Sequence, residues 1–332
     1  MSDETPTTTQ SPTVVPRRKS IKLGIVGAGA VGSTLAYAAL IRGAAHTVAL
    51  YDINRDKVEA EALDLGQGIQ FVPMARVQGS DDIAVLADSD VVVFTAGAKQ
   101  KLGQTRLDLA ESTIAIVREL MPRLVETAPD AVHVMVTNPV DVVTYAALSI
   151  SGLPPERLFG SGTVLDSSRL RFVLAQRTAV AAQNIHAYVV GEHGDSEIAV
   201  WSSAMIGSVP LLEWKGPDGS PLFDAPALAG IATDVVQSAY RVIAGKGATN
   251  YAIGLAAVRV LEAIVNDERR ILPVSSLLEG YRGLRDVCLS VPAVVHAGGV
   301  GDRIEVPMTE LELAGLHASA QAVQATARRF GF

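Results

Sequence analysis

The chain has little of several features on which whole protein classes depend. Cys288 is its only cysteine in 332 residues, so an intramolecular disulfide is impossible and a cysteine-based metal site is not expected. No apolar run approaches the ~18 residues that a membrane span needs. Lysine and arginine number 28 against 35 acidic residues, and this net charge of −7 disfavours nucleic-acid and anionic-membrane partners. We expect a globular protein of the reducing cytoplasm.

The first 20 residues differ in composition from the rest of the chain. They are rich in threonine, proline and serine, end in a short basic cluster, and lack the apolar segment of a signal peptide. Such a composition buries too little apolar surface to fold. We therefore predict a disordered tail over residues 1–20.

Strands and helices alternate from residue 21 to about residue 161. Nearly continuous apolar runs predict buried strands over 21–26, 47–51, 90–95 and 131–137, and helical spacing predicts helices over 30–42, 55–65 and 107–126. Parallel strands covered by helices on both faces show this pattern. The fold class that it predicts is α/β, with a doubly wound parallel sheet in a domain over residues 21–161.

The pattern changes in the second half of the chain. Long helices are predicted over 167–183, 225–244 and 310–328, with shorter strands between turn signals such as the glycine-rich segment 298–302. This predicts a second, mixed α+β domain over residues 162–332.

A glycine motif follows the first predicted strand and opens the first predicted helix. Gly27 would allow a tight turn, Gly29 would let the backbone approach a pyrophosphate, and Gly32 would let the helix pack closely on the strand. Asp52 follows Gly32 by 20 residues and would hydrogen-bond a ribose while repelling a 2′-phosphate. An ordinary tight turn is the alternative for the glycines alone. The full pattern predicts a Rossmann domain that binds NAD rather than NADP.

One of the six histidines has the setting of a proton-transfer group. His193 lies in a glycine-bracketed turn directly after an apolar stretch, where a side chain can enter a cleft. An ordinary imidazole titrates near neutral pH, which suits acid–base work. A packed or surface imidazole remains the reading for the other five. No set of histidine, aspartate and glutamate has metal-ligand spacing, so no metal site is predicted.

Four ordered motifs give the chain a family resemblance over residues 21 to 330. Besides the turn at 191–195, they are the segments 95–109, 136–141 and 162–172. Together they resemble the L-lactate/malate dehydrogenase family. The resemblance implies hydride transfer between NAD and a small 2-hydroxy or 2-oxo acid.

The resemblance assigns roles to the residues that would meet the substrate. His193 would be the acid/base, and Asp166 would orient it and stabilise its charged form. Arg169 would clamp the substrate carboxylate, Arg106 on a mobile loop would polarise the carbonyl, and Asn138 would hydrogen-bond the substrate oxygen. Asp166 could instead be only a helix N-cap, and Arg106 only a solvated surface charge.

Further residues are implied at the edges of the two sites. Thr249 would line the substrate pocket, and Asn138 would precede a cis proline and also lie near the nicotinamide ribose. The cofactor would in addition contact Val31, Lys57, Gly97, Ala98 and Ile253.

Gln100 bears on the choice of substrate. Malate enzymes of the family place an arginine at this position to meet a second carboxylate, and a dianion facing neutral glutamine would be unpaired. Lactate/pyruvate is therefore expected, although Lys99 and Lys101 could supply a cation after a loop shift. Malate or a branched 2-hydroxy acid is the alternative, followed by a protein that binds NAD without catalysis.

Two basic residues match an effector site of the family. Arg171 lies two residues beyond Arg169, about 200° around a helix, and so would point away from the active site. Arg171 and His186 correspond to the pair that holds fructose 1,6-bisphosphate between subunits in bacterial enzymes that it activates. The resemblance thus implies a homotetramer with this effector. A surface arginine and an unrelated histidine are the alternative reading.

Overall fold

The structure is a computed structural model that describes residues 20–97 and 106–332. Nearly all of the predicted tail, together with Ala98 and Gln100, lies outside the described residues. For Arg106 only the backbone is described, as the first residue of a helix.

Eight helices and twelve strands make up the described part of the chain. The helices are α1 Ala30–Arg42, α2 Arg55–Gln67, α3 Arg106–Thr127, α4 Val140–Ser151, α5 Val164–Thr178, α6 Ala225–Lys246, α7 Tyr251–Val265 and α8 Glu310–Arg329. The strands are β1 Lys22–Val26, β2 Thr47–Tyr51, β3 Arg76–Ser80, β4 Val91–Phe94, β5 Val132–Met135, β6 Leu158–Gly160, β7 Ile185–Val190, β8 Ile198–Ile206, β9 Val209–Pro210, β10 Arg270–Tyr281, β11 Leu284–His296 and β12 Gly299–Arg303.

The first half of the chain forms a parallel sheet in the order β6-β5-β4-β1-β2-β3. Strand residues alternate between its two faces: on β4, Val91 and Val93 pack under α1 and α7, while Val92 and Phe94 pack under α3 and α4. Because both faces are covered, the inner strands are mostly apolar, whereas the edge strand β3 is polar and partly exposed. The predicted doubly wound parallel sheet is confirmed, and α1 and β2 have the predicted bounds.

The second half extends this sheet and also forms a smaller one. Strand β10 pairs antiparallel with β6 through Ser275 and Gly160, and β11 and β12 continue outward. A smaller sheet in the order β7-β8-β9 lies apart from it. The expectation of only short strands here is wrong, because β10 and β11 have 12 and 13 residues and form a long hairpin.

The helix that carries the candidate orienting residue begins earlier than predicted. The sequence predicts 167–183, whereas α5 begins at Val164, after Thr163, and ends at Thr178, before Ala179, whose left-handed φ of 55° stops it. Asp166 therefore lies inside the first helical turn and is not the N-cap residue. Its carboxylate is available for a partner outside the helix.

No helix among the described residues is long and apolar enough to cross a membrane.

Candidate active site

The glycine turn after β1 has the shape of an anion cradle. Gly27 adopts a φ of +99°, which favours glycine, and its N–H donates to the Tyr51 carbonyl at 2.7 Å. A Cβ on Gly32 would lie 1.9 Å from the Gly27 oxygen, so α1 packs tightly against the turn. A Cβ on Gly29 would meet nothing within 4 Å. The open space at Gly29 faces no protein atoms and suits a pyrophosphate at the N-terminus of α1.

Asp52 is fixed beside this turn, at the end of β2. One carboxylate oxygen accepts the Ala28 N–H at 2.8 Å, and the other accepts the Asn54 N–H at 3.0 Å. These bonds aim the negative charge at the mouth of the turn. An adenosine ribose there would meet a hydrogen-bond acceptor, whereas a 2′-phosphate would meet a like charge. The residues therefore fit NAD.

The remaining cofactor candidates follow the carboxyl edge of the parallel sheet, where ligands bind in such folds. Gly97 follows β4, and a Cβ there would lie 2.1 Å from the Thr137 hydroxyl oxygen that follows β5. Val31 on α1 and Ile253 on α7 are half-buried against the same hydrophobic core. Lys57 lies in the first turn of α2, where Asn54 caps its backbone N–H.

His193 and Asp166 form a hydrogen-bonded pair. Nδ1 of His193 lies 2.5 Å from Oδ2 of Asp166, whose side chain is 1% exposed. A carboxylate can only accept, so Nδ1 carries the hydrogen and Nε2 is the nitrogen that exchanges a proton with a bound molecule. The His193 side chain is 21% exposed, and the pair can therefore hold and release a proton at the surface of a cleft.

Arg169 completes this cluster from the next turn of α5. Its Nη1 donates to Oδ1 of Asp166 at 2.6 Å. A guanidinium has several N–H donors in a fixed fork, so one bond to Asp166 leaves others for a carboxylate. The structure thus brings together the three residues predicted for acid–base work and carboxylate binding.

The charges of the cluster set its protonation. Burial alone would lower the pKa of His193, but the Asp166 carboxylate outweighs burial and raises that pKa to about 9. Burial opposes ionisation of Asp166 as well, yet His193 and Arg169 hold its pKa below the ordinary value. Near neutral pH the pair is therefore an imidazolium beside a carboxylate.

Glu197 is a third ionisable group that sequence reasoning missed. Burial and the nearby Asp166 raise its pKa to about 8, so it is protonated near neutral pH. Ligand atoms of Asp166, His193 and Glu197 lie within 4.8 Å of one another, a spacing that could hold a cation. Because His193 and Glu197 both carry protons at neutral pH, the cluster offers a metal ion only one anionic ligand. Nothing in the sequence spacing had marked this residue.

Of the other predicted substrate residues, the structure describes Asn138, Thr249 and the backbone of Arg106. The Asn138–Pro139 peptide is cis, as predicted, and connects β5 to α4. Asn138 is exposed, and Thr249 is half-buried between α6 and α7. Arg106 begins α3, and Gln100 falls outside the described residues.

The candidate effector residues lie on two elements that pack together, Arg171 on α5 and His186 on β7. Nε of Arg171 donates to the Ala187 carbonyl at 3.1 Å, and its guanidinium lies over the Tyr188 ring, 5.5 Å from the centroid. His186 is exposed on β7, next to Ala187. Both contacts of the Arg171 guanidinium are therefore with residues of β7.

Two family models together match nearly all of residues 21–329. The model for the lactate/malate dehydrogenase NAD-binding domain matches residues 21–160. The model for the lactate/malate dehydrogenase α/β C-terminal domain matches residues 163–329.

Curated relatives are similar over almost their whole length. An L-lactate dehydrogenase of Bifidobacterium animalis subsp. lactis is 52% identical over 314 residues, which are 95% of this chain and 98% of the relative. An L-lactate dehydrogenase of a Synechococcus strain is 45% identical, covering 92% of this chain and 97% of the relative.

Solved structures agree with the relatives in fold. The crystal structure of the minor L-lactate dehydrogenase of Enterococcus mundtii, in a ligands-bound form, superposes with a TM-score of 0.89 at 38% identity. The superposition covers 93% of this chain and 98% of that structure.

Proposed function

The chain belongs to the lactate/malate dehydrogenase family, and from that premise we propose that it is an NAD-dependent L-lactate dehydrogenase. The observation that carries the proposal is the bonded cluster of His193, Asp166 and Arg169. It offers a proton and a carboxylate clamp in one place. Those are the two protein groups that reduction of a 2-oxo acid requires. Near full-length similarity to L-lactate dehydrogenases supports this choice of reaction.

His193 is the acid/base in this proposal. Its Nε2 donates a proton to the carbonyl oxygen of pyruvate during reduction and takes the hydroxyl proton of L-lactate during oxidation. Asp166 keeps the ring in the tautomer and orientation that make this possible, and its charge stabilises the imidazolium. When bound, the cofactor would supply a hydride to the substrate C2 as NADH or accept one from it as NAD+.

The remaining side chains bind and orient the substrate. Arg169 takes the substrate carboxylate with its guanidinium, and Arg106 polarises the carbonyl and helps to exclude water. Asn138 donates a hydrogen bond to the substrate oxygen, and Thr249 lines the pocket. Gln100 meets the methyl end of the substrate and disfavours a second carboxylate.

The residues that would hold the cofactor follow the carboxyl edge of the sheet. The glycine turn of Gly27, Gly29 and Gly32 holds the pyrophosphate, and Asp52 accepts hydrogen bonds from the adenosine ribose. The remaining residues proposed to contact it are Val31, Lys57, Gly97, Ala98, Asn138 and Ile253. The open space at Gly29 supports this assignment.

Steady-state oxidation of NADH with pyruvate and with oxaloacetate tests the proposal. We expect pyruvate to be reduced far faster, with NADH preferred over NADPH. A preference for oxaloacetate would move the chain to the malate branch of the family. No turnover of either acid would leave a protein that binds NAD without catalysis.

We also propose fructose 1,6-bisphosphate as an activator bound by Arg171 and His186. Activation should lower the apparent KM for pyruvate by about 5- to 150-fold, the usual range of allosteric coupling. It should be larger at mildly acid pH, where imidazoles are charged. Titration of initial rates with the bisphosphate between about pH 5.5 and 7.5 measures both effects.

Two variants make the effector test specific. Arg171→Gln should abolish activation while the unactivated rate remains. Arg177→Gln, in the last turn of the same helix, removes an exposed arginine and should leave activation intact. Equal rates with and without the bisphosphate in the wild type would end this part of the proposal.

An effector held between subunits requires an oligomer, and we propose a homotetramer. Large apolar side chains exposed in and near α1 and α2 support subunit contact there, among them Tyr37, Ile41, Leu63, Phe71 and Met74. Light scattering of the purified protein measures the assembly.

A reducing cytoplasm is the proposed location because the single cysteine, Cys288, is buried and free.

A further inference from the structure

The backbone of the turn that carries His193 is hydrogen-bonded to elements that lie far away in the sequence. The N–H of Gly191 donates to the Ser290 carbonyl of β11 at 2.9 Å, and the N–H of Ser290 donates back at 3.1 Å. The next N–H, that of Glu192, donates to the Ser319 hydroxyl of α8 at 2.8 Å. Both serines are completely buried. The turn therefore rests on the interior of the protein, with its exposed side toward the cleft.

The third consecutive N–H meets a charged group. The backbone N–H of His193 donates to Oδ2 of Asp141 at 2.8 Å, and the Ser290 hydroxyl lies 3.4 Å from the other carboxylate oxygen. The Asp141 residue is 2% exposed, and burial raises the pKa of its carboxyl to about 6. At neutral pH a buried carboxylate thus holds the backbone of the proton-transfer residue itself.

Asp141 also belongs to the segment that carries a substrate-binding candidate. It lies in the first turn of α4, three residues beyond Asn138 and two beyond the cis proline. The N-terminal end of a helix favours a negative charge, which helps to keep the carboxylate ionised there. The hydrogen bond to His193 therefore connects the Asn138 segment with the histidine turn.

We propose that Asp141 is a positioning residue, which holds the His193 backbone in register with Asp166 and stabilises the imidazolium by its negative charge. This inference rests on the proposed acid/base role of His193. Asp141 acts through the backbone bond and through its field, without touching the substrate. A shift of about 1 Å in a catalytic group is enough to lower a rate by about 100-fold, so one such bond matters for turnover.

The surroundings of the two groups define what a pH measurement reports. His193 is faced by the carboxyls of Asp166 on α5, Asp141 on α4 and Glu197 before β8. Asp141 is faced by His193, by Glu192 of the same turn, and by the Cys288 thiol of β11. Arg169 is hydrogen-bonded to Asp166, so its charge acts on His193 through that carboxylate. Removing the charge of Asp141 therefore changes one of three acidic neighbours of His193.

Two substitutions separate the bond from the charge. Asp141→Ala removes both, and kcat for pyruvate reduction should fall by about 10- to 100-fold with NADH affinity unchanged. Asp141→Asn keeps an oxygen that accepts the His193 N–H, so it should recover most of the rate. It removes the charge, so the alkaline limb of pyruvate reduction should move to lower pH. The matched control is Asp90→Asn. In the wild type, the Asp90 carboxylate accepts the Lys22 N–H at the opposite edge of the sheet.

A direct titration of His193 by NMR in the wild type and in Asp141→Asn completes the test, and it does not depend on turnover. The inference is supported if the pKa of His193 is lower in Asp141→Asn than in the wild type and unchanged in Asp90→Asn. An unshifted titration, or a kcat unchanged in Asp141→Ala, would overturn it. Absence of pyruvate turnover in the wild type would instead count against the proposed function, and the titration would still decide the role of Asp141.

Discussion

Replacing His193 with asparagine is expected to lower kcat for pyruvate reduction by about 10³-fold. Asparagine has no titratable proton, and a positioned acid/base group commonly contributes about 10² to 10⁴ in rate. The loss should be large because the structure holds this imidazole charged beside Asp166, ready to donate. Dissociation constants for NADH, measured by fluorescence, should stay close to those of the wild type, because most of the cofactor candidates lie at the ends of β1, β2 and β4.

The control for this substitution is His296→Asn. His296 ends β11, and its Nδ1 accepts the Gly298 N–H, a bond that an asparagine oxygen can replace. The control variant should keep wild-type kcat and KM. A His193→Asn enzyme with kcat within tenfold of the wild type would remove His193 from the proton transfer.

The second large effect concerns substrate choice. Gln100→Arg should raise kcat/KM for oxaloacetate relative to pyruvate by about 10²- to 10³-fold. An unpaired buried charge costs about 3–5 kcal/mol, and each 1.4 kcal/mol corresponds to about a factor of ten. The introduced guanidinium would pair with the second carboxylate of oxaloacetate and lose its partner with pyruvate. Competition between the two acids, followed by NADH consumption and product analysis, gives the ratio directly.

A charge added nearby in the sequence separates pairing from general attraction of anions. Gln104→Arg adds a charge four residues further along the chain and should help both acids by similar, small factors. If both arginine variants changed the ratio equally, Gln100 would not be the residue that meets the substrate side chain. An unchanged ratio in Gln100→Arg would lead to the same conclusion.

Local signals explain why the first half of the fold could be predicted from sequence. The turn at Gly27 depends on residues next to each other in the chain, and α1 ends at Arg42, before Gly43, whose left-handed φ of 62° marks a common helix stop. Strands β1, β2, β4 and β5 are short apolar runs between such signals. Asp166 and Arg169 could be predicted to face one site because they are one helical turn apart.

Other elements gave an ambiguous signal. Helices α4 and α7 consist mainly of apolar residues, and a run of apolar residues is compatible with a buried strand as well as with a buried helix. The continuation of the sheet through β10 depends on contact between Gly160 and Ser275, which lie far apart in sequence. Asp141 stands 52 residues from His193, and only the fold brings its carboxylate to that backbone.

The pH dependence of kcat/KM, measured for pyruvate reduction and for lactate oxidation on one preparation, tests most directly that His193 transfers the proton. Reduction needs the imidazolium, so its rate should be constant at neutral pH and fall as pH rises through about 9. Oxidation needs the neutral ring, so its rate should rise with pH up to the same value. Two opposite limbs that share one pKa, well above that of an ordinary histidine, are the predicted result. Rates that change with pH in the same sense for reduction and oxidation would contradict it. So would pH-dependent limbs that persist in His193→Asn.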